Sequence, residues 1–215
     1  MEQEFKYNEK YRFTEKWFDS MIPTWNQLFK KYGEDIGEIN SVLEIGCFEG
    51  RATTWICENV LHEKDGQNYD VVDTFGGTLE EPGMVGTADR LKSNNFIEDN
   101  FMHNISFFKN INFNIYKNYS NKVLPELCLK DKKYDFIYID ASHKADDTFV
   151  DAYYADKLLN VNGLLIFDDY GWHDPNDTHI NNSPKAGVDV FRAFYEKKYS
   201  LVGMGYQVIL IKNKI

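Results

Sequence analysis

Acidic side chains and a histidine follow two consecutive apolar segments of the sequence, in a pattern that could bind a metal ion. Asp140 and His143 follow one segment, and the adjacent Asp168 and Asp169 follow the next. Three carboxylates brought together would repel one another unless a cation neutralised them. Their oxygens suit Mg²⁺, Mn²⁺ or Ca²⁺ better than zinc. The alternative is that the aspartates only cap helices and turns at the rim of a sheet.

Two glycines follow an earlier apolar segment and predict a turn that a ligand can approach closely. Gly46 and Gly50 have a G-x-x-x-G spacing, which differs from the G-x-G-x-x-G pattern of dinucleotide sites. Gly46 allows a tight turn, and Gly50 relieves crowding where a helix begins and its free N–H groups favour an anion. An ordinary strand-to-helix turn is the alternative.

Two further polar positions are typical of a nucleoside site. Asp73 ends the second predicted strand, where a carboxylate can accept both hydroxyls of a ribose. Ser120 follows the third strand, where it could hold the edge of an adenine. A turn or helix cap is the alternative for Asp73, and for Ser120 taken alone a helix N-cap is the favoured interpretation.

These residues need a sheet to bring them together, and the sequence alternates between strand-like and helix-like segments. Apolar runs with little alternation predict strands, and segments with apolar residues at helical spacing predict helices. The predicted strands are 42–45, 69–73, 112–116, 134–140, 164–167 and a pair within 201–212 that bends at Gly203 or Gly205. The predicted helices are 51–60, part of 87–105, 122–129, 149–159 and 188–195, with Asn162 and Gly163 closing the fourth.

The pattern predicts an α/β fold, a Rossmann-like seven-stranded, mostly parallel sheet with helices on both faces. The last two strands form a terminal antiparallel pair. Residues 1–40 are rich in aromatic side chains at helical spacing, interrupted at Pro23, and are expected to form an N-terminal helical cap on a cofactor-binding domain at 41–215. Ligands of such sheets bind at the carboxyl ends of the strands.

Composition excludes several classes of protein. The chain has 215 residues, is 43% hydrophobic and has a formal net charge of −10, which argues against a disordered chain and against nucleic-acid binding. It has no apolar run long enough for a membrane span and no apolar signal sequence, so we expect a cytoplasmic protein with no membrane partner. Its three cysteines predict neither a disulfide framework nor a zinc site.

In the order and spacing of these motifs, the chain resembles class I S-adenosylmethionine-dependent methyltransferases. The resemblance rests on residues 42–50, 71–73, 134–143 and 163–170, and it extends over about 40–212. Within the class the chain is similar to the small O-methyltransferase branch of macrocin O-methyltransferase and, more distantly, to catechol O-methyltransferase. Residues 17–25 and 205–209 are also similar to that branch.

The resemblance implies that S-adenosylmethionine binds along the strand ends. The glycine turn would hold its methionine part, Asp73 its ribose and Ser120 its adenine. The residues implied to contact or support this cofactor are Glu44, Gly46, Gly50, Asp73, Ser120 and Asp140.

The resemblance also implies transfer of the methyl group to a hydroxyl of a small-molecule acceptor, with a sugar as one candidate. Mg²⁺ or a similar divalent cation would be bound by Asp140, Asp168 and Asp169. His143 is the expected base, because an ordinary histidine pKa of about 6.5 suits that task at neutral pH. Lys144 is its rival, and a purely structural His143 is the third possibility.

The N-terminal cap and the Gly-rich segment 75–105 are expected to form the acceptor pocket. Several alternatives to a methyltransferase remain open from the sequence. A nicotinamide-dependent oxidoreductase on the same architecture is the main alternative, although the chain lacks its glycine fingerprint. A non-catalytic cofactor-binding module is another alternative, and the sequence is compatible with a homo-oligomer.

Overall fold

The computed structural model describes residues 10–62, 64–77, 96–173 and 179–213. A seven-stranded sheet runs through the molecule in the order β3-β2-β1-β4-β5-β7-β6. The strands are β1 (Ser41–Ile45), β2 (Gln67–Asp73), β3 (Ile111–Lys117), β4 (Tyr134–Ile139), β5 (Leu159–Phe167), β6 (Tyr199–Met204) and β7 (Val208–Lys212). Strands β1 to β5 pair in parallel, and β7 pairs antiparallel with both β5 and β6. The predicted fold class is confirmed.

Helices cover both faces of this sheet. The α-helices are α1 (Ile22–Ile36), α2 (Arg51–Ile56), α3 (Phe96–Ile105), α4 (Ser120–Leu129), α5 (Ala145–Leu158) and α6 (Pro184–Tyr195). A 3₁₀ turn at Trp17–Met21 precedes α1, and a π-helical turn at Cys57–Leu61 continues α2. Among the described residues, no helix is both long enough and apolar enough to cross a membrane.

The register of the central strands aligns their carboxyl ends. The hydrogen-bonding ladder continues one residue beyond the strands: the backbone N–H of Asp140 donates to Ile45 at 2.8 Å. In the same way the N–H of Asp168 donates to Ile139 at 2.9 Å. The first residues after β1, β4 and β5 therefore stand side by side at one edge, which we call the carboxyl edge.

The aromatic N-terminal segment packs directly on one face of the sheet. Trp25 of α1 is fully buried, with its ring 5.7 Å from that of Phe136 and 5.1 Å from that of Tyr138. Phe18 and Trp55 contact the same indole, at 4.9 and 5.4 Å between ring centroids. Helix α1 thus forms part of the hydrophobic core that supports β4.

Several element boundaries differ from the sequence-based expectation. Pro23 lies within the first turn of α1, where a missing N–H costs no hydrogen bond. Helix α4 begins two residues early, at Ser120. Strand β5 begins at Leu159, so Asn162 and Gly163 lie inside the strand, where Asn162 has a positive φ of 62°. The ladder between β4 and β5 changes register in this region, and the extra residues are accommodated there.

Candidate active site

The turn after β1 has a backbone shape that requires glycine. Gly46 has φ +83°, and a Cβ atom built on it would lie 1.9 Å from the carbonyl oxygen of Asp140. Gly50 has φ +79° and immediately precedes α2. Gly46 therefore lets the turn lie against the end of β4, and a side chain at this position would force the two segments apart.

Asp73 organises this turn from the end of β2. Its Oδ2 atom accepts hydrogen bonds from the backbone N–H groups of Cys47 at 2.7 Å and Phe48 at 2.9 Å. Its Oδ1 atom accepts from the N–H of Phe75 at 2.7 Å. The carboxylate thus joins the glycine turn to the segment that follows β2.

Glu44 lies beneath the turn and is fully buried. Its Oε2 atom accepts from the hydroxyls of Thr53 at 2.6 Å and Tyr69 at 2.7 Å. Burial, with a smaller effect from the charge of Asp73, raises the pKa of Glu44 to about 7. Glu44 therefore ties α2 to β2 under the turn, which is a supporting position.

Ser120 is the first residue of α4, and the N-cap position belongs to Tyr119, which makes no capping bond through its side chain. The N-cap interpretation of Ser120 is therefore wrong. Its hydroxyl instead bonds to the carboxyl group of Asp151 on α5. Asp151 is buried, and burial raises its pKa to about 7 despite the opposing effect of this hydrogen bond.

Two of the carboxylates at the carboxyl edge share one hydroxyl group. Tyr138 OH lies 3.1 Å from Asp140 Oδ2 and closer still to Asp168 Oδ2. Asp168 also accepts from Gln207 Nε2 at 2.9 Å and from the backbone N–H of Asp169 at 2.7 Å. Burial and the charge of Asp169 raise the pKa of Asp168 to about 6. Burial, then the charge of Asp168, raises the pKa of Asp140 as well.

Asp169 brings the predicted base into the same group. Its backbone has φ +54°, and its Oδ2 atom lies 2.9 Å from His143 Nε2. The imidazole packs on the indole of Trp172, with ring centroids 4.3 Å apart. Tyr206 also bonds to Asp169 through its hydroxyl.

Lys144 has different surroundings, although it is the next residue in the chain. Its Nζ atom donates to Asn182 Oδ1 at 2.7 Å. Lys144 thus ties the start of α5 to the segment before α6, whereas His143 faces the carboxylates.

The donor chemistry at this edge fits a hard divalent cation. Tyr138 has one hydroxyl proton but lies within hydrogen-bonding distance of two carboxylates, so this proton can satisfy only one of them. A cation would neutralise the oxygens of Asp140, Asp168 and Asp169, all of which are hard ligands. Within the described ranges, no three His, Cys, Asp or Glu side chains are already arranged as a ligand set.

Sequence reasoning missed Tyr138, Gln207 and Trp172. Tyr138 reads as an apolar strand residue, and only the side-chain geometry shows its hydroxyl between two carboxylates. Gln207 is distant in sequence and reaches the edge because β7 pairs with β5. Trp172 could have been suspected from its place just beyond Asp169. The expected acceptor segment 75–105 lies partly outside the described residues, because 78–95 are not described.

Comparison with known proteins agrees with this geometry. A family model described as a methyltransferase domain matches residues 43–170, which is more than half of the chain. The chain belongs to this methyltransferase family. The match begins within β1 and ends at Tyr170, so it includes the glycine turn and Asp73. It also includes Asp140, Asp168 and Asp169, which we call the acidic group. No curated protein matches the methyltransferase sequence.

Solved structures show the same fold in other methyltransferases. An O-methyltransferase from Bacillus cereus in complex with SAH (S-adenosylhomocysteine) has 18% sequence identity and a TM-score of 0.52, over 89% of this chain and 81% of that one. The N-methyltransferase NodS from Bradyrhizobium japonicum has 13% identity and a TM-score of 0.53, over 90% and 96%. A putative O-methyltransferase from Klebsiella pneumoniae has 14% identity and a TM-score of 0.52, over 89% and 80%.

These findings confirm the resemblance to class I methyltransferases at the level of family and fold. At such low identities the solved structures establish the fold alone. The placement in the macrocin branch stays a prediction, as do the individual site residues.

Proposed function

We propose that this methyltransferase transfers the methyl group of S-adenosylmethionine to a hydroxyl oxygen of a small molecule. The observation that carries the proposal is the alignment of the glycine turn, Asp73 and the acidic group with His143 along one carboxyl edge. In sheets of this kind ligands bind at that edge. The glycine turn and the acidic group are adjacent there, since Gly46 packs against the Asp140 backbone.

The donor would bind along the ends of β1 and β2. Gly46 and Gly50 leave space beside the backbone, and the carboxylate of Asp73 holds the turn in shape. Ser120 at the start of α4 is proposed to lie beside the adenine, and Glu44 to support the turn from below. The SAH bound to the Bacillus cereus enzyme supports this class of donor.

The acceptor would bind at the ends of β4 and β5. Asp140, Asp168 and Asp169 are the residues that would hold Mg²⁺ or a similar cation. Such a cation, when bound, lowers the pKa of an acceptor hydroxyl. A sugar is the proposed acceptor, and the exposed aromatic ring of Tyr206 next to this group offers apolar surface for it to contact.

In the proposed reaction, the acceptor oxygen forms a bond to the methyl carbon as the bond between that carbon and sulfur breaks. His143 accepts the hydroxyl proton at Nδ1, because its Nε2 faces the Asp169 carboxylate and carries a proton there. The product of the donor is S-adenosylhomocysteine. Asp169 and Trp172 hold the imidazole by a hydrogen bond and by ring packing. The protein thus contributes mainly by positioning the two substrates and the base.

The alternatives make different demands on the site. A nicotinamide-dependent oxidoreductase needs a glycine-rich phosphate turn that the sequence at Gly46–Gly50 does not provide. A non-catalytic cofactor-binding module would not need His143 next to a group of carboxylates. The cytoplasmic location and self-association of the methyltransferase stay predictions.

Incubation with methyl-labelled S-adenosylmethionine and a panel of sugars, catechols and primary amines tests the proposal. We expect label in an O-methyl product, loss of labelling with EDTA and recovery with added Mg²⁺. Label found only in N-methyl products would contradict the acceptor class. Labelling that is unchanged after thorough chelation would contradict the cation. Absence of transfer to every acceptor, together with tight S-adenosylmethionine binding, would favour the non-catalytic module.

A further inference from the structure

Gln207 links helix α1 to the acidic group at the carboxyl edge. It lies between β6 and β7 and is only 4% exposed. Trp25 Nε1 donates to Gln207 Oε1 at 2.7 Å, and Gln207 Nε2 donates to Asp168 Oδ2 at 2.9 Å. Both hydrogen bonds are buried, so water does not compete for them.

The indole determines which way the amide points. A tryptophan N–H can only donate, so the atom of Gln207 that faces Trp25 must be the carbonyl oxygen. The NH₂ group then necessarily faces Asp168. The glutamine therefore presents a donor, and never an acceptor, to this carboxylate.

Three donors together hold the Asp168 carboxylate. Gln207 and the hydroxyl of Tyr138 both donate to its Oδ2 atom, and the backbone N–H of Asp169 donates to Oδ1. The two side-chain donors rest on the same support, since the rings of Tyr138 and Trp25 pack edge to face with centroids 5.1 Å apart. Trp25 is fully buried among other aromatic rings, so close packing restricts the movement of this support.

We infer that Gln207, held by Trp25, is a positioning residue that sets the orientation of Asp168 for cation binding. The inference rests on the cation site of the proposed function and adds to it a specific role for α1. Loss of a group that hydrogen-bonds a ligand carboxylate commonly lowers metal affinity about 10–100-fold. Without its amide donor, Asp168 would lose one of the two bonds that orient Oδ2.

The test measures Mn²⁺ binding by electron paramagnetic resonance, without donor or acceptor. Gln207→Met keeps a similar side-chain length but removes both the carbonyl oxygen and the NH₂ group of the amide. We expect it to bind Mn²⁺ about 10–100-fold more weakly than the wild type. Its affinity for S-adenosylhomocysteine, measured by calorimetry, should stay within about twofold, since Gln207 makes no hydrogen bond to the glycine turn or to Asp73.

Two further variants separate positioning from general stability. Trp25→Phe retains an aromatic ring but removes the N–H that holds the amide, so we expect Mn²⁺ affinity to fall, by less than in Gln207→Met. Tyr199→Phe is the matched control, because it removes a buried hydroxyl that donates to a carboxylate, Asp156, at 3.0 Å on another part of the fold. It should leave Mn²⁺ affinity unchanged.

Each contrary outcome has a distinct meaning. If the wild type binds Mn²⁺ and a folded Gln207→Met variant binds it equally well, the inference is overturned. If that variant does not fold, unchanged Mn²⁺ affinity in Trp25→Phe overturns the inference in its place. Equal weakening in Tyr199→Phe would show a general stability effect and would also overturn it. A wild type that binds S-adenosylhomocysteine but no Mn²⁺ would contradict the proposed cation site itself, and the inference with it.

Discussion

His143 and Lys144 are neighbours in sequence, but their side chains face different parts of the molecule. The imidazole bonds to Asp169 among the carboxylates, whereas the lysine ammonium bonds to Asn182. The chemistry of the two residue types left both open as the base. Only their side-chain directions separate them, and these follow from the turn between β4 and α5.

The first prediction concerns this pair. In assays with an acceptor that the wild type methylates, His143→Ala should lower turnover about 10²–10⁴-fold, because no base remains to remove the hydroxyl proton. Steady-state assays across neutral pH check this, with calorimetry to show that S-adenosylhomocysteine still binds. Lys144→Ala is the control and should keep most of the activity, since Lys144 contacts Asn182 and not the carboxylates. The reverse result would transfer the role to Lys144.

Among the secondary-structure elements, the carboxyl ends of the strands bring the residues of the candidate active site together. The order β2-β1-β4-β5 in the sheet aligns the residues that follow these strands. The sequence predicted the succession of strands and helices along the chain, but not their order in the sheet. Asp140, Asp168 and Asp169 could be anticipated because buried parallel strands must be followed by a rim of polar residues. Gln207 could not, because its contact depends on the pairing of β7 with β5, and sequence periodicity carries no register between distant strands.

The glycine turn gives the second prediction. Gly46→Ala should reduce the free energy of unfolding by about 3 kcal/mol or more, because the new Cβ would overlap the Asp140 carbonyl and the residue has a positive φ. Urea denaturation checks the stability, and calorimetry checks the expected loss of S-adenosylhomocysteine binding.

A second glycine provides the control for this substitution. Gly33 lies within α1, and a Cβ built there meets no atom within 4 Å. Gly33→Ala should stabilise the protein by up to about 1 kcal/mol, because alanine favours the helix, and should leave binding unchanged. A Gly46→Ala variant as stable as the wild type would show that the turn and β4 are not in such close contact.

For the molecule as a whole, the burial of acidic groups makes the free energy of unfolding depend on pH. The pKa of Glu44 is about 7 in the folded protein and 4.5 for an unperturbed glutamate, so the folded state binds the proton more tightly. The contribution of Glu44 therefore lowers the free energy of unfolding as the pH rises from about 4.5 to about 7. The full effect is about 3 kcal/mol.

The third prediction follows from that sign. In Glu44→Gln the amide oxygen can still accept from Thr53 and Tyr69, but the group no longer titrates. Relative to the wild type, the variant should gain about 2–3 kcal/mol of stability between pH 5 and pH 8, since part of the effect is already lost below pH 5. Urea denaturation at the two pH values measures this difference. A stability difference that is the same at both would contradict a raised pKa for Glu44.

The N-terminal segment also contributes to the molecule as a whole, and its aromatic residues predicted a helical cap. Phe18 and Trp25 are buried in the core above β4, so the segment supports the sheet directly. Helical spacing indicated its secondary structure, but packing against Trp55 and Phe136 could not be deduced from spacing, which carries no information on tertiary partners.

We propose that the carboxyl edge of this methyltransferase binds an S-adenosyl donor. Calorimetric titration with S-adenosylhomocysteine tests it most directly, with NAD⁺ as the competing ligand and Asp73→Ala as the site variant. We predict saturable S-adenosylhomocysteine binding, no NAD⁺ binding, and a loss of about 1–3 kcal/mol of binding free energy in Asp73→Ala, because its carboxylate holds the turn. Asp189→Ala, which removes a partly exposed carboxylate on α6, should bind as the wild type does. Tight NAD⁺ binding without S-adenosylhomocysteine binding would contradict this proposal.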